Sequence, residues 1–166
     1  ISVTRRITNP ILRKIAGIYN SAVNRLAYGI KVVILILGGI LTLDCSESGS
    51  TARFILPVAA AICKNVSLVG SGRLPERPFS ALCESLKSGG ARFSSDKLPM
   101  TVLKNVNRGG RYEIPGNISS QFITGLLFAL SLLNGDSQIH ITGTLESKPY
   151  VDMTGKAMEL FGVNTD

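Results

Sequence analysis

The sequence predicts an α/β fold in which the helices lie inside and the sheets lie outside. Strand-like and helix-like segments alternate along the chain, and two of the helices are apolar on nearly every side. A helix of that kind must be surrounded by protein, since it has no face suited to water. The third observation is an internal repeat, because the serine that opens the first of these helices, Ser48, recurs as Ser119 (119 − 48 = 71).

The individual elements follow from β-branched and leucine runs between glycines, and from the helical spacing of apolar side chains elsewhere. We predict helices over residues 1–29, 48–62, 79–87, 119–133 and 150–161. We predict strands over residues 31–37, 40–44, 66–69, 92–93, 101–104, 111–114 and 138–142. A loop over residues 70–78 joins the third of these strands to the helix that follows it.

A second pair of segments obeys the same offset. Residues 72–79 and 143–150 both read Gly-x-Leu-x-x-(Arg/Lys)-Pro-aromatic between a strand and a helix (143 − 72 = 71). The predicted unit is β-α-β-α-β-β, present twice and a third time in part at the N-terminus. Each unit contains an apolar helix that needs complete cover, which is the reason for placing the helices inside.

The start of the helix at residues 119–133 is the most informative local feature. Ser119 is a suitable N-cap, because its hydroxyl can accept a hydrogen bond from a backbone N–H of the first turn. With Ser120 and Gln121, it places hydroxyls and an amide where the helix dipole is positive, and this arrangement suits a bound anion. A capped core helix without a ligand explains these three residues as well.

The composition restricts the classes of partner. A net charge of +7 favours anionic partners, yet the basic residues are scattered and aromatic residues make up only 6% of the chain. No RNA-binding motif is present, so small phosphorylated ligands are favoured over nucleic acid. Three cysteines and one histidine without metal-ligand spacing argue against a metal site and a disulfide framework. Cys63 and Cys83 are expected in the core.

The expected location is the cytoplasm, or a plastid if the organism is a plant. Cysteine usage fits a reducing compartment. The apolar run at residues 29–43 is short and contains Lys31, so we predict no membrane span and no membrane partner. The sequence begins at Ile1 rather than at Met, and we therefore expect a fragment of a longer protein.

Four motifs follow one another along the chain. They are Glu-Ser-Gly-Ser-Thr-Ala-Arg at 47–53, Arg-Leu-Pro-Glu-Arg-Pro at 73–78, Ser-Ser-Gln-Phe at 119–122 and Ser-Lys-Pro-Tyr at 147–150. In order and spacing they resemble the 5-enolpyruvylshikimate-3-phosphate synthase (EPSP synthase) family, from about Leu41 to the end of the chain. The family's N-terminal Lys-Ser-x-Ser-x-Arg motif is not found in the first 40 residues.

The resemblance implies a fold and a reaction. The family has two similar domains, each an inverse α/β barrel-like arrangement of three such units around buried parallel helices. Residues 1–166 would form a single domain, most of the N-terminal one, which holds shikimate 3-phosphate. The implied reaction moves the enolpyruvyl group of phosphoenolpyruvate onto the 5-hydroxyl of shikimate 3-phosphate, in aromatic amino-acid biosynthesis. It needs no cofactor and no metal.

The catalytic residues are not identified in this chain. In the family, the acid–base carboxylates come largely from the C-terminal domain, which would be the missing partner of this chain. The chain alone is therefore expected to bind substrate without turning it over.

The resemblance also implies the substrate-binding residues. Ser119, Ser120 and Ser147 would bind the 3-phosphate. Gln121 would contact the hydroxyls of the shikimate ring, and Tyr150 would lie against that ring.

A second set would hold phosphoenolpyruvate. Arg73 would pair with it, because a guanidinium suits carboxylate and phosphate geometry, and Gly49 would let the backbone approach it closely. Arg53 resembles a family arginine near that site, with a structural ion pair equally open. Arg73 and Arg77 are also explained as solvated charges of an ordinary loop. Glu47 stands where many relatives carry Asn, which either marks a subgroup or weakens the contact with phosphoenolpyruvate.

Two alternatives stay open at this point. An enzyme similar to UDP-N-acetylglucosamine carboxyvinyltransferase shares the inverse fold, although the motifs at 119–122 and 147–150 belong to the shikimate branch. A non-catalytic module of the same fold that binds phosphate or RNA is the other alternative, and salt-dependent RNA binding would support it.

Overall fold

The computed structural model describes residues 2–4, 33–37 and 40–165. These residues form a mixed α/β fold, as the sequence predicts. Most of the helix predicted over residues 1–29 lies outside the described residues. At its beginning the prediction is wrong, because Ser2–Thr4 pair with two other strands instead of forming a helical turn.

The elements alternate along the chain as predicted. The strands are β1 (Ser2–Thr4), β2 (Val33–Leu37), β3 (Ile40–Asp44), β4 (Val66–Val69), β5 (Arg92–Phe93), β6 (Met100–Lys104), β7 (Arg111–Pro115), β8 (Ser137–Thr142) and β9 (Asn164–Thr165). The helices are α1 (Gly49–Ile62), α2 (Ser80–Ser88), α3 (Ser120–Leu130) and α4 (Lys148–Glu159), with a short 3₁₀ helix at Leu74–Glu76. Sequence reasoning missed the 3₁₀ helix and β9.

The described strands form two open sheets, and no closed barrel is found among them. One sheet has the order β2-β3-β4-β6-β5, and the other has the order β7-β8-β1-β9. Each sheet contains one parallel pair, β3 with β4 and β7 with β8. A parallel pair requires a crossover connection, and α1 and α3 are those two crossovers.

The internal repeat is present in the structure. The series β3, α1, β4, α2 recurs as β7, α3, β8, α4, and the first residues of β3 and β7 are 71 apart (111 − 40 = 71). Ser48 and Ser119 are the N-caps of α1 and α3, as their equivalent positions predict.

The two crossover helices approach each other closely at Gly125 in α3. A Cβ atom at this position would lie 2.4 Å from the Arg53 carbonyl oxygen and 3.0 Å from Pro57 Cγ. Because there is no side chain between the two backbones, α1 and α3 pack directly against each other. In α3, 8 of 11 residues are buried, which agrees with a helix that needs cover on most sides. Phe128 is 37% exposed, and its ring meets Phe54 at an angle, 6.0 Å between centroids.

Helix α3 ends at Leu130, three residues before the predicted end. The hydroxyl of Ser131 donates to the Phe128 carbonyl, 2.8 Å away. The N–H groups of Leu132 and Leu133 then bond to carbonyls three residues back rather than four. The apolar composition continues to Leu133, but the hydrogen bonding has already changed to a tighter turn.

The cysteines are free, and two of them are fully buried. Burial raises the pKa of Cys45 to about 11, with a smaller contribution from the negative charge of Asp44. Burial also raises the pKa of Cys83 to about 12. Both side chains are thus neutral thiols at physiological pH. Cys83 lies in the core as predicted, whereas Cys63 is only half-buried at the C-terminal end of α1.

Neither a metal-binding cluster nor a membrane-spanning helix is present among the described residues. No cluster of His, Cys, Asp and Glu there could hold a metal ion. No helix in the same part of the chain has the length and apolarity needed to cross a membrane.

Candidate anion-binding groove

An open groove of about 550 Å³ lies where α3 and α4 begin, and we call it the polar groove. It is lined by Arg53, Phe54, Ile118, Ser119, Ser120, Gln121, Thr124, Glu146, Ser147, Tyr150, Met153 and Thr154. The groove brings together six of the eight residues that the resemblance singled out. The other two, Gly49 and Arg73, are not among its lining residues.

The start of α3 forms one wall of the polar groove. Ser119 has an extended backbone, and its hydroxyl oxygen accepts a hydrogen bond from the Gln121 backbone N–H at 3.3 Å. Because that oxygen acts as an acceptor, the hydroxyl proton of Ser119 remains available to donate. The positive end of the α3 dipole lies at the same place, so this wall favours negative charge.

The loop before α4 forms the opposite wall. It packs directly on Gly116, where a Cβ atom would lie 2.7 Å from the Thr144 carbonyl oxygen and 2.9 Å from Leu145 Cα. The Glu146 backbone N–H also donates to the Gly116 carbonyl at 3.1 Å. Ser147 follows in the left-handed conformation (φ 58°), and its side chain makes no capping hydrogen bond. The glycine therefore allows the two walls, and with them the serine hydroxyls, to lie close together.

Gln121 connects α3 to α1 at the base of the groove. Its Oε1 accepts a hydrogen bond from Arg53 Nη1 at 2.7 Å, and its Nε2 donates to Ser50 Oγ at 2.8 Å. Both polar atoms of the amide are thus engaged, which fixes the amide orientation. Gln121 therefore holds the start of each helix in register with the other.

Arg53 lies in the groove without a carboxylate partner among the described residues. Its guanidinium stands over the Phe122 ring, 5.5 Å from the centroid, and its buried Nε has no hydrogen-bond partner there. Burial, and to a smaller extent the positive charge of Arg77, lower the pKa of Arg53. The alternative of a structural ion pair between Arg53 and a carboxylate is not observed in the described part of the chain.

Arg77 approaches the site at Gly49, the first residue of α1. A Cβ atom on Gly49 would lie 2.6 Å from Arg77 Nη1 and 3.6 Å from Arg53 Nη1. The two guanidinium groups thus flank one glycine, close to the start of α1. The absence of a side chain at Gly49 leaves the space that they occupy.

Arg73 occupies a different environment. Its side chain is 91% exposed, and its Nε lies 3.8 Å from the Glu76 carboxylate. The 3₁₀ helix at Leu74–Glu76 separates it from Arg77, so the two arginines of this loop take different positions. Glu47 lies against the same loop, because a Cβ atom on Gly72 would be 2.6 Å from Glu47 Cδ.

Sequence reasoning missed three residues of the site. Thr124 and Thr154 both line the polar groove, with their hydroxyl oxygens 3.1 Å apart. Thr124 is four residues after Ser120, which places it one turn further along the same face of α3, but it is embedded in an apolar run. The resemblance assigns the ligand role to Arg73 and none to Arg77, and the sequence contains no signal that brings Arg77 to Gly49.

The fold and the groove define an α/β protein with internal repeats and a polar, anion-favouring site at a helix N-terminus. The family model of EPSP synthase (3-phosphoshikimate 1-carboxyvinyltransferase) matches residues 35–166. The chain belongs to the EPSP synthase family, and the UDP-sugar alternative is not favoured.

Individual relatives agree with this assignment. The chain is 45% identical over 127 residues to the 3-phosphoshikimate 1-carboxyvinyltransferase of Clostridium novyi, covering 75% of this chain and 29% of that protein. It is 45% identical over 124 residues to the protein of the same name from Clostridium kluyveri, covering 74% of this chain and 29% of that protein. The chain thus spans less than a third of these curated relatives.

A solved structure supports the fold. The EPSP synthase of Acinetobacter baumannii matches with a TM-score of 0.57 at 17% identity, over 83% of this chain and 35% of that one. At this level of identity, the likeness concerns the fold alone.

Proposed function

We propose that this chain is the shikimate 3-phosphate-binding part of a 3-phosphoshikimate 1-carboxyvinyltransferase. The observation that carries the proposal is the meeting of Ser119, Ser120 and Ser147 in one groove at the start of α3, beside Tyr150. Hydroxyl donors and a positive helix end suit a phosphate group. An exposed aromatic ring at the same groove suits the face of a small carbocyclic acid.

The domain assignment belongs to the same proposal. Residues 1–166 would form most of the N-terminal domain, with the helices inside and the sheets outside as an inverse α/β barrel-like layer. The burial of α3 and its direct packing on α1 support this arrangement. The remainder of the enzyme would supply the facing domain.

The phosphate would bind at the wall formed by α3. Ser119 can donate its proton while it accepts from the Gln121 N–H, so capping and ligand binding do not compete. Ser147 would add a third hydroxyl from the opposite wall. Gln121, already oriented by Arg53 and Ser50, would meet the ring hydroxyls.

Phosphoenolpyruvate would bind beside Gly49, between Arg53 and Arg77. Two like charges that flank one glycine repel each other, and an anion between them relieves that repulsion. We assign to Arg77 the role that the resemblance implied for Arg73, because Arg73 is solvated and paired with Glu76.

The reaction would then require little from this chain beyond binding and orientation. The 5-hydroxyl of shikimate 3-phosphate gives its proton to the base as its oxygen bonds to C2 of phosphoenolpyruvate, while C3 gains a proton from the acid. The C2–O bond to phosphate then breaks and C3 loses a proton, which restores the vinyl group and releases inorganic phosphate. Arg53 and Arg77 would neutralise the carboxylate and the departing phosphate. The acid and base would come from the other domain.

Calorimetric titration of the purified chain tests the function. We expect saturable binding of shikimate 3-phosphate, weaker binding of inorganic phosphate, and no product when phosphoenolpyruvate is added. Absence of binding by a chain shown to be folded by circular dichroism would contradict the proposal. Salt-dependent binding of RNA in that case would favour the non-catalytic module.

Replacing Arg77 tests the phosphoenolpyruvate site. In the presence of shikimate 3-phosphate, we expect Arg77→Ala to weaken phosphoenolpyruvate binding at least tenfold, about the effect of one hydrogen bond between charged groups. Ligand-detected NMR titration measures such weak binding. Arg92→Ala, which removes a surface charge on β5, serves as the matched control.

Arg73→Ala decides between the two arginines of the loop. A loss of phosphoenolpyruvate affinity in Arg73→Ala, without a loss in Arg77→Ala, would restore the assignment implied by the resemblance. It would overturn the role proposed here for Arg77.

A further inference from the structure

Equivalent aromatic residues of the two repeat units are held in different ways. Phe79 and Tyr150 occupy the same position of the repeat (150 − 79 = 71), at the starts of α2 and α4. Phe79 is 1% exposed and packs near the Phe122 ring, 6.4 Å between centroids. Tyr150 is 62% exposed and lines the polar groove. Burial in the core therefore determines the position of the Phe79 side chain. Because the Tyr150 side chain is exposed, other contacts must determine its position.

A short series of hydroxyl groups fixes the backbone of Tyr150. Thr154 Oγ1 donates to the Tyr150 carbonyl at 2.9 Å. Since a threonine hydroxyl has one proton, the 3.1 Å contact between Thr124 and Thr154 must be donated by Thr124. The order is Thr124 to Thr154 to the Tyr150 carbonyl, which links the middle of α3 to the first turn of α4. The Tyr150 N–H is also engaged, by the Ser147 carbonyl at 3.0 Å.

The first repeat unit lacks these hydroxyls. The positions equivalent to Thr124 and Thr154 are Arg53 (124 − 53 = 71) and Cys83 (154 − 83 = 71). Arg53 points to Gln121, and Cys83 lies in the core. Of the two repeat units that the structure describes, the threonine pair is thus found in the one whose aromatic residue faces the groove.

We propose that Thr124 and Thr154 are positioning residues that set Tyr150 at the distance from the start of α3 that a ring-bearing phosphate ester requires. The inference rests on the proposed function and extends it, since neither threonine belongs to the motifs of the family resemblance. Thr124 is 7% exposed, so its hydroxyl acts through Thr154 and not as the main contact of a ligand. Loss of the pair leaves the phosphate wall intact but releases the wall that carries the ring.

The test compares ligands with and without a ring in calorimetric titrations. Thr124→Val and Thr154→Val are each expected to weaken shikimate 3-phosphate binding about tenfold, the effect of one hydrogen bond. Affinity for inorganic phosphate should stay within about twofold of the wild-type value. Because both variants break one series, the double variant should lose little more than either single variant. Thr124→Ser keeps the hydroxyl and should restore ring-ester affinity.

Thr101→Val is the matched control. It removes another hydroxyl pair, Ser67 with Thr101 at 2.8 Å, which joins β4 to β6 away from the groove. Its affinity for both ligands should equal that of the wild type. A parallel loss of both affinities in Thr124→Val, or no loss of either, would overturn the inference.

Amide hydrogen exchange gives a readout that does not depend on the ligand. Thr124→Val should raise the exchange rate of residues 147–155 selectively, as α4 loses its link to α3. Unchanged exchange in this segment would overturn the inference whatever the binding result. Absence of shikimate 3-phosphate binding in the wild type would instead refute the proposed function, and the exchange result would still decide whether the threonine pair couples the helices.

Discussion

The double variant Ser119→Ala, Ser120→Ala is expected to reduce shikimate 3-phosphate affinity by at least about 100-fold, as two hydrogen bonds to a charged group are lost together. Both hydroxyls lie at the start of α3, where the positive end of the helix dipole would favour the same phosphate. Calorimetric titration against the wild type measures the change. An affinity within threefold of wild type would show that the phosphate binds elsewhere.

The loss of a cap must be separated from the loss of a ligand contact. Ser119 is the N-cap of α3, so its replacement also costs about 1 kcal/mol of folding stability. Ser48→Ala removes the equivalent cap of α1, whose hydroxyl accepts from the Thr51 N–H at 3.2 Å. It should lower stability by a similar amount and leave the affinity for shikimate 3-phosphate nearly unchanged.

The second large effect is on stability, at Gly125. In most helices Gly→Ala is stabilising by about 1 kcal/mol, because alanine is the better helix former. Here the new Cβ would lie 2.4 Å from the Arg53 carbonyl oxygen, a backbone atom that cannot move without separating α1 from α3. We expect Gly125→Ala to lower the free energy of unfolding by about 2 to 3 kcal/mol, the usual cost of overpacking. Urea denaturation followed by circular dichroism measures it.

Gly155→Ala is the control for helix propensity. Gly155 lies within α4, and its Cβ would meet only Thr165 Oγ1, at 2.7 Å, the end of a side chain that can rotate away. The substitution should be neutral or stabilising. If Gly125→Ala and Gly155→Ala raise stability equally, the close packing of α1 on α3 is not as described.

Much of the fold follows from local sequence signals. Apart from Ser2–Thr4, which form a strand where a helix is predicted, the predicted helices and strands of the described residues lie within three residues of their observed bounds. Apolar periodicity and glycine punctuation are short-range properties, which explains this agreement. Ser119 could be identified as a cap for the same reason. The end of α3 could not be predicted from the sequence, because Leu132 and Leu133 continue the apolar pattern. The hydrogen bonding already changes at Ser131.

The candidate site was only partly predictable, because its geometry depends on tertiary contacts. Ser147 and Ser119 are brought together by the packing of the α4 loop on Gly116, which no local pattern indicates. Arg73 and Arg77 flank a single 3₁₀ turn, and the direction of that turn alone determines which one reaches Gly49. Thr124 lies in an apolar run, so the sequence pattern does not indicate that it belongs to the site.

The two sheets differ in when they can be completed as the chain leaves the ribosome. Among the described residues, the sheet β2-β3-β4-β6-β5 is built from residues 33–104, so these strands exist before the second repeat unit has been synthesised. The sheet β7-β8-β1-β9 joins residues 2–4 to residues 137–138 and 164–165, and it must wait for almost the whole chain. Because the N-terminal part of a chain is synthesised first, the strands of the unit that holds Gly49 and Arg77 can pair before α3, which packs on α1, has been made. The serine-rich groove is completed only after α3 and α4 have been synthesised.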